Sequence, residues 1–402
     1  MANNKQAEVS HGVGAELTLA QLSDVARVLF LAPSEAGQGQ AGILWGLPGV
    51  GKSALVRALA ARYDLPVMTL SPALLGDGAF GVVPVPTADG LLGFPRPSWT
   101  ARFDKRKAGV VFIDEATSEP RLLAPVLGLT LDRMVGDHYL GEGVRVIAAA
   151  NPPHCAVNGA DLPPPVANRM AHFVFKGASA EGFAPYLLGK RQGRAVVKST
   201  LTLEDDEKLV SEGWDTHYPR VAALVASFVK ARPELLHKMP EPSDPNASGP
   251  WPSHRSWDAL TNALTTCACL GYVDELPALF MEAWVGAGAT TELLAFALQN
   301  DLPDPAAVLD GRVGWEHSMT RPDRTYAVLA ACAATVSPEK SDHRARRAAK
   351  LWGIIGDVVK VAPDLAVTAV VELRKAGLAR TEEAIPVLMA LKPTFDRAKV
   401  NG

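Results

Sequence analysis

Gly46, Gly51, Lys52 and Ser53 spell G-x-x-x-x-G-K-S, with Pro48, Gly49 and Val50 inside the loop and Ala54 just after it. The chemistry such a string performs is phosphate binding. Glycines let backbone N–H groups curl around phosphate oxygens at a helix N-terminus, a lysine adds a point charge at the β and γ phosphates, and a serine hydroxyl is a ligand for Mg²⁺. Gly46, Pro48, Gly49, Val50, Gly51, Lys52, Ser53 and Ala54 are therefore the expected phosphate-binding segment. Further on, the apolar run Val110 to Ile113 ends in Asp114 and Glu115. Asp114 is placed to share the Mg²⁺ shell with Ser53, and Glu115 to polarise an attacking water as general base. Acids also end buried strands as helix caps, so this pair takes its meaning from the phosphate loop that precedes it. Asn151 ends another apolar run, where a neutral amide could orient the lytic water without competing for the cation, or simply open the Asn-Pro-Pro turn. Arg169 and Arg255 could each deliver guanidinium charge to a γ-phosphate, although chemistry alone does not single them out among the chain's arginines.

The elements that must position these groups follow from periodicity. Thr18 and Gln21 form a capping-box pair at the start of a helix whose face is Leu22, Val25, Ala26 and Leu29, with Leu17 and Leu22 as a hydrophobic staple. Ile43 to Trp45 predicts a strand running into the phosphate loop, and Ser53 to Tyr63 predicts the helix after it. Val67 to Leu70, Val110 to Ile113, Val144 to Ala149 and Phe173 to Phe175 predict further strands, the alternation that a parallel sheet covered by helices produces. Two insertions predict β-hairpins. The first runs from Val82 to Phe94 around a Thr-Ala-Asp-Gly turn, and the second from Arg133 to Val146, with Gly141 and Gly143 expected to reverse the chain. The exposed apolar residues expected on the first, Val83, Val85, Leu91 and Leu92, suit either a client surface or local packing. Beyond residue 180 the strands fade. A polar, proline-rich linker, Met239 to Ser253, separates two helical regions, and no internal repeat is visible. The expected division is residues 1–178 as an α/β nucleotide-binding domain, 179–250 as a helical connecting region and linker, and 251–402 as a helical lid and C-terminal region. Arg344, Arg346, Arg347 and Lys350 read as a solvated helix face.

Composition narrows the partners. The 402 residues carry 40 Lys and Arg against 43 Asp and Glu, a formal charge of -3, which lacks the excess of positive charge a large nucleic-acid surface requires. No apolar run reaches the roughly 18 residues of a membrane span, and the start MANNKQAEVSHG has no signal-peptide core, so a cytoplasmic protein is expected. Cys155, Cys267, Cys269 and Cys332 are expected as thiols, with no disulfide; the spacing of Cys267 and Cys269 does not suit a zinc site.

Taken in order, GLPGVGKS, the Val82–Phe94 hairpin, VVFIDEAT, the hairpin before VRVIAAANPP, then ANRM and PSHRSW resemble the AAA+ ATPases, and within them the MoxR-type branch of the helix-2-insert group. VGAGATTELLAFALQNDLPDPAAVL and TRPDRTYAVLAAC resemble the helical C-terminal part of MoxR-like proteins, which are often encoded beside von Willebrand factor A partners. The resemblance implies an AAA+ α/β P-loop sheet with helices on both faces and β-hairpin insertions, followed by an all-α lid and helical C-terminal region. It makes Lys52 and Ser53 Walker A residues, Asp114 and Glu115 Walker B, and Asn151 sensor 1. Arg169 takes the arginine-finger position, acting on a neighbour's nucleotide, and Arg255 takes sensor 2. Where the family carries Asp-Arg-Phe at the finger this chain has Asn168, Arg169 and Met170, and where it carries Pro-Arg at sensor 2 this chain has His254 and Arg255.

The implied protein binds ATP and Mg²⁺, hydrolyses ATP as a homo-oligomeric ring, commonly a hexamer, and remodels a protein client or a von Willebrand factor A partner. The alternative within the family is a nucleic-acid-acting motor. Against it, Val82 to Phe94 holds no basic residue, while Arg133, His138 and Arg145 in the second hairpin speak for it. A small-molecule kinase or GTPase is disfavoured, since no Asn-Lys-x-Asp string exists to read guanine, and a scaffold without turnover is disfavoured by Glu115.

Overall fold

The computed structural model describes residues 14–398 except 19, 82, 105–107, 153–154, 156–160, 191–201, 242, 245, 300–301, 316–320 and 338–342. The expected signal-free start and the first residue of the first hairpin, Val82, lie outside the described residues.

Six parallel strands form one sheet: β1 (Ala15–Leu17), β2 (Gly42–Trp45), β3 (Val67–Leu70), β6 (Gly109–Ile113), β9 (Val144–Ala150) and β10 (Ala171–Phe175), in the order β1-β10-β2-β9-β6-β3. β6 and β9 are buried along their whole length, as continuous apolar strands covered on both faces must be. Side chains alternate between two layers. Ile43, Trp45, Val111, Ile113, Val146 and Ala148 join a core with Leu123, Val126 and Leu129 of α4 (Leu123–Asp132) and Val166 and Ala167 of α5 (Pro164–Ala167). Leu44, Ile147 and Phe173 instead face Leu22, Val25 and Leu29 of α1 (Leu22–Leu31) and Leu55, Val56 and Leu59 of α2 (Lys52–Arg62). The parallel sheet with helices on both faces is therefore present. One strand is additional to the sequence reading: Ala15–Leu17 pairs with β10. The Thr18–Gln21 hydrogen bonds form as expected, Thr18 N–H donating to Gln21 Oε1 at 3.0 Å, but the helix proper begins only at Leu22.

Both insertions are hairpins. β4 (Val85–Pro86) pairs antiparallel with β5 (Leu92–Gly93), and Gly90 closes the turn with φ +80°. β7 (Met134–Val135) pairs with β8 (His138–Tyr139), so the reversal is at Gly136 and Asp137 rather than at Gly141 and Gly143. Gly136, at φ +56°, supplies the left-handed conformation a two-residue turn needs. Its turn is pinned to the first hairpin: Phe94 N–H donates to Asp137 Oδ2 at 2.8 Å, and a Cβ on Gly136 would stand 3.0 Å from Gly81 O. Val83, Val85, Leu91 and Leu92 are exposed.

Arg133 and Arg145 are not surface residues. Both are fully buried; Arg133 donates to Gly39 O at 2.6 Å, and Arg145 to Phe30 O, Gly143 O and Glu207. Desolvation lowers the pKa of each, that of Arg133 to about 10.

The chain divides into two compact units, residues 1–210 with 237–291, and residues 211–236 with 292–402. The first holds the sheet, the opening turns of α7 (Leu203–Ala231), α8 (His254–Cys269) and most of α9 (Glu275–Gln299), a helix interrupted at Gly286. The second is helical: α10 (Pro305–Leu309), α11 (Pro322–Val336), α12 (Arg344–Val359), α13 (Pro363–Lys375) and α14 (Ala384–Ala398) pack around Leu329, Leu351, Trp352, Ile355, Val370 and Leu391. The basic cluster on α12 is only partly solvated. Arg344 donates to Ser337 O and Ala376 O, and Arg347 clasps Asp310, while Arg346 and Lys350 are exposed. Cys155, Cys267, Cys269 and Cys332 are free thiols, Cys267 and Cys332 being buried, with burial raising the thiol of Cys332 to about 12. Among the described residues no helix is long and apolar enough to cross a membrane.

Candidate nucleotide site

β2, β9 and β6 are adjacent, so the loops leaving their C-terminal ends lie side by side: Gly46 after β2, Asn151 after β9, and Asp114 with Glu115 after β6. The chain fills the sheet on one side of β2 through β9 and then crosses to the other side with β10. That placement puts the loop where ligands of open α/β sheets bind.

The loop is built around positions only glycine can fill. Gly46 N–H continues the ladder to Ala150 O, and a Cβ on Gly46 would lie 2.4 Å from Phe175 O. Gly49 and Gly51 have φ of +82° and +100°, and nothing stands within 4 Å of where their Cβ atoms would be. An open cradle therefore lies over the start of α2, whose first N–H groups have no intrahelical acceptor and carry the positive end of the helix dipole. Pro48 and Ala54 are exposed on this rim, and Val50 packs against the backbone of Gly177.

Lys52 is buried at the first helical position and donates three ways, to Gly46 O at 2.7 Å, Leu47 O at 3.0 Å and Asn151 Oδ1 at 2.8 Å. Burial pushes its pKa below the ordinary lysine range, opposed by the carboxylates of Asp114 and Glu115. Ser53 Oγ donates to Asp114 Oδ2 at 2.6 Å. A hydroxyl and a carboxylate oxygen held together beside the cradle are the hard oxygen ligands that Mg²⁺ takes. Glu115 is exposed and its backbone is left-handed, φ 56°. Hydrogen bonds on either side fix that kink, Asp114 N–H to Leu70 O and Ala116 N–H to Ala149 O, both 2.8 Å. A non-glycine residue held in that region costs about 1–3 kcal/mol and is found where the surroundings over-determine it.

Sequence reasoning thus named seven groups that the structure gathers at one end of the sheet: Gly46, Gly51, Lys52, Ser53, Asp114, Glu115 and Asn151. It does not bring Arg169 and Arg255 there. These two line a common pocket with Gln40, Ala41, Glu35 and Asp258. Ala41 and Ala171 lie at the N-terminal ends of β2 and β10, which pair Gly42 with Ala171. At about 3.3 Å per residue, the pocket is roughly 15 Å along the sheet from the phosphate loop of the same chain. Arg169 Nε is buried without a partner among the described residues, and both desolvation and the nearby charge of Arg255 lower the arginine's pKa. Arg255 is exposed and makes no hydrogen bond or ion pair among the described residues.

Asn168 was not picked out as a functional position by the sequence. It is buried, its Nδ2 donating to Trp251 O at 2.9 Å and its Oδ1 accepting from Ser253 Oγ at 2.5 Å. The only sequence signal was its departure from the aspartate of the resembled motif.

Residues 42–177, about a third of the chain, match the model of the ATPase family associated with various cellular activities (AAA). No curated protein matches the chain by sequence. A solved structure of a "putative ATPase" from Cytophaga hutchinsonii is 16% identical, with TM-score 0.43, covering 70% of this chain and 81% of that one. The strand, loop and helix at Gly46 to Ser53 lie inside the matched residues, so the geometry of the phosphate-binding segment and the likeness to the AAA model fall on the same part of the chain.

Proposed function

We propose that the chain is an Mg²⁺-dependent ATP hydrolase that works as a ring, each nucleotide held by one subunit and completed by Arg169 and Arg255 of the next. The observation that carries this reading is the distance between the arginine pocket and the phosphate loop, at opposite ends of one parallel sheet. Within one chain the two guanidinium groups cannot reach a phosphate bound at Lys52. In a head-to-tail ring each subunit offers one end to each neighbour, so the two half-sites meet.

In this mechanism the loop N–H groups and Lys52 hold the β and γ phosphates. Ser53 and Asp114 would hold an Mg²⁺ ion, which would supply neutralisation of phosphate charge. Glu115 accepts the proton of the attacking water and Asn151 fixes the water's direction. Arg169 and Arg255 stabilise charge on the transferred phosphoryl group, and the spent phosphate frees them.

The client read here is a protein. The first hairpin presents Val83, Val85, Leu91 and Leu92 without a basic residue, and burial of Arg133 and Arg145 withdraws from the second two of the three side chains that would have met a nucleic acid, leaving the half-buried His138. That combination supports a protein client over a nucleic acid, while the MoxR type, the hexameric ring and the von Willebrand factor A partner rest on the sequence resemblance. Glu115→Gln should bind ATP and turn it over at least a hundredfold more slowly than wild type, and Lys52→Ala should weaken ATP binding. Steady-state turnover and equilibrium ATP binding check both; equal turnover in wild type and Glu115→Gln would sink the reading.

A further inference from the structure

Two arginines in one pocket with no hydrogen-bonded counter-charge repel each other, and something must hold them together. Arg169 directly follows Asn168. Arg255 is the second residue of α8, whose cap is Ser253: Ser253 Oγ accepts from Ser256 N–H at 3.1 Å, and Ser256 Oγ accepts from Ser253 N–H at 2.8 Å. Asn168 joins the two segments through both ends of its amide, donating to Trp251 O and accepting from the capping Ser253 hydroxyl. A parallel stitch runs from Trp251 Nε1 to Pro164 O at 3.0 Å, on the short helix that leads into Asn168. On the far side, Ala167 O accepts from His172 Nε2 at 2.8 Å, and His172 Nδ1 accepts from Trp45 Nε1 at 3.1 Å. The backbone before Arg169 is thus fixed to the sheet and to the start of α8 at once.

Resting on the proposed function, we propose that Asn168 is the positioning residue that makes Arg169 and Arg255 one rigid two-arginine clamp for the phosphates of a neighbouring subunit's ATP. The amide is required by its chemistry. It must donate in one direction and accept in the other, and a carboxylate of the same shape has only acceptors, so Asp at 168 would set two oxygens, its own and Trp251 O, against each other. Because the amide ties the α8 cap to the segment bearing Arg169, the two arginines engage and release the phosphate together rather than one after the other.

The test uses the full-length chain carrying Asn168→Asp, alone and combined with Arg169→Ala or Arg255→Ala, with ATP as the probe. Asn168→Asp should leave ATP binding within about twofold, since the phosphate loop is at the other end of the sheet, and lower kcat about tenfold or more at an unchanged KM. Added to either arginine variant it should cost less than about twofold more, because its effect acts through the same pair. Wild-type kcat in Asn168→Asp, or losses that multiply with those of the arginine variants, would overturn the clamp while leaving the ring reading intact. Wild-type turnover in Arg169→Ala and Arg255→Ala themselves would instead overturn the ring reading and the clamp with it. If Asn168→Asp does not fold, Ser253→Gly, which keeps a tolerated cap residue but removes the hydroxyl bound to Asn168, is judged by the same criteria.

Discussion

The ammonium group of Lys52 has three protons and meets three acceptors: two loop carbonyls and the amide oxygen of Asn151. A phosphate arriving in the cradle competes with Asn151 for the third. In the proposed cycle Asn151 is therefore a placeholder first and an orienting group second, released to meet water only when Lys52 has found a phosphate. Its removal should have opposite consequences for the two steps. Asn151→Ala is expected to bind ATP as tightly as wild type or more tightly, while turnover falls about 10²–10³-fold, the usual loss when a positioned polar group is deleted from a transition state. Equilibrium binding of ATP beside steady-state turnover checks this; a loss of binding that matched the loss of turnover would show that Asn151 holds the loop together instead.

At the scale of elements, the first turn of α7 is fastened to the sheet unit by two carboxylates, Asp206 buried and Glu207 partly exposed. Asp206, fully buried, accepts from two of the three Arg27 guanidinium nitrogens, at 2.5 and 2.9 Å, and from the Tyr63 hydroxyl at 2.6 Å; Glu207 accepts from Arg145 at 2.7 Å. Tyr63 caps the helix that begins at Lys52, and Arg145 lies on the strand that ends before Asn151. Asp206→Ala leaves Arg27 without its carboxylate counter-charge, only the Tyr272 hydroxyl remaining at 3.2 Å, and should cost about 3–5 kcal/mol, read as a lowered denaturant midpoint. In the helical unit Arg347 and Arg312 hold the Asp310 carboxyl down to about 2. A depressed carboxylate stabilises the fold above its unfolded value near 4 and ceases to do so as pH falls toward 2, so Asp310→Asn should flatten the acid side of the stability profile between those values. Thermal midpoints of wild type and variant across that window check it.

What the sequence could show at this scale followed from local pattern. The strands ending at Trp45, Ile113 and Ala150 were legible because an apolar run covered on both faces needs no partner to be recognised. Ala15–Leu17 was not, being three residues long with one exposed, and Gly136-Asp137 was overlooked because Gly141 and Gly143 offer a turn signal of the same kind. Burial of Arg133 and Arg145 leaves no local trace at all, since what accepts their protons is backbone carbonyl and a glutamate distant in sequence. For the same reason the shared pocket of Arg169 and Arg255 and the role of Asn168 were invisible before the fold brought the two segments together.

At the scale of the whole molecule, the central claim is that one chain holds two halves of different sites. A subunit carrying Arg169→Ala keeps a sound phosphate loop, and one carrying Lys52→Ala keeps a sound arginine pocket. Mixed in equal amounts, about a quarter of the head-to-tail joints in a random ring would pair the two sound halves. The decisive measurement is ATP turnover of that mixture against each variant alone. Turnover well above the sum of the separate variants, peaking near equal proportions, is the expected result. No gain at any ratio would contradict action between subunits and with it the ring mechanism.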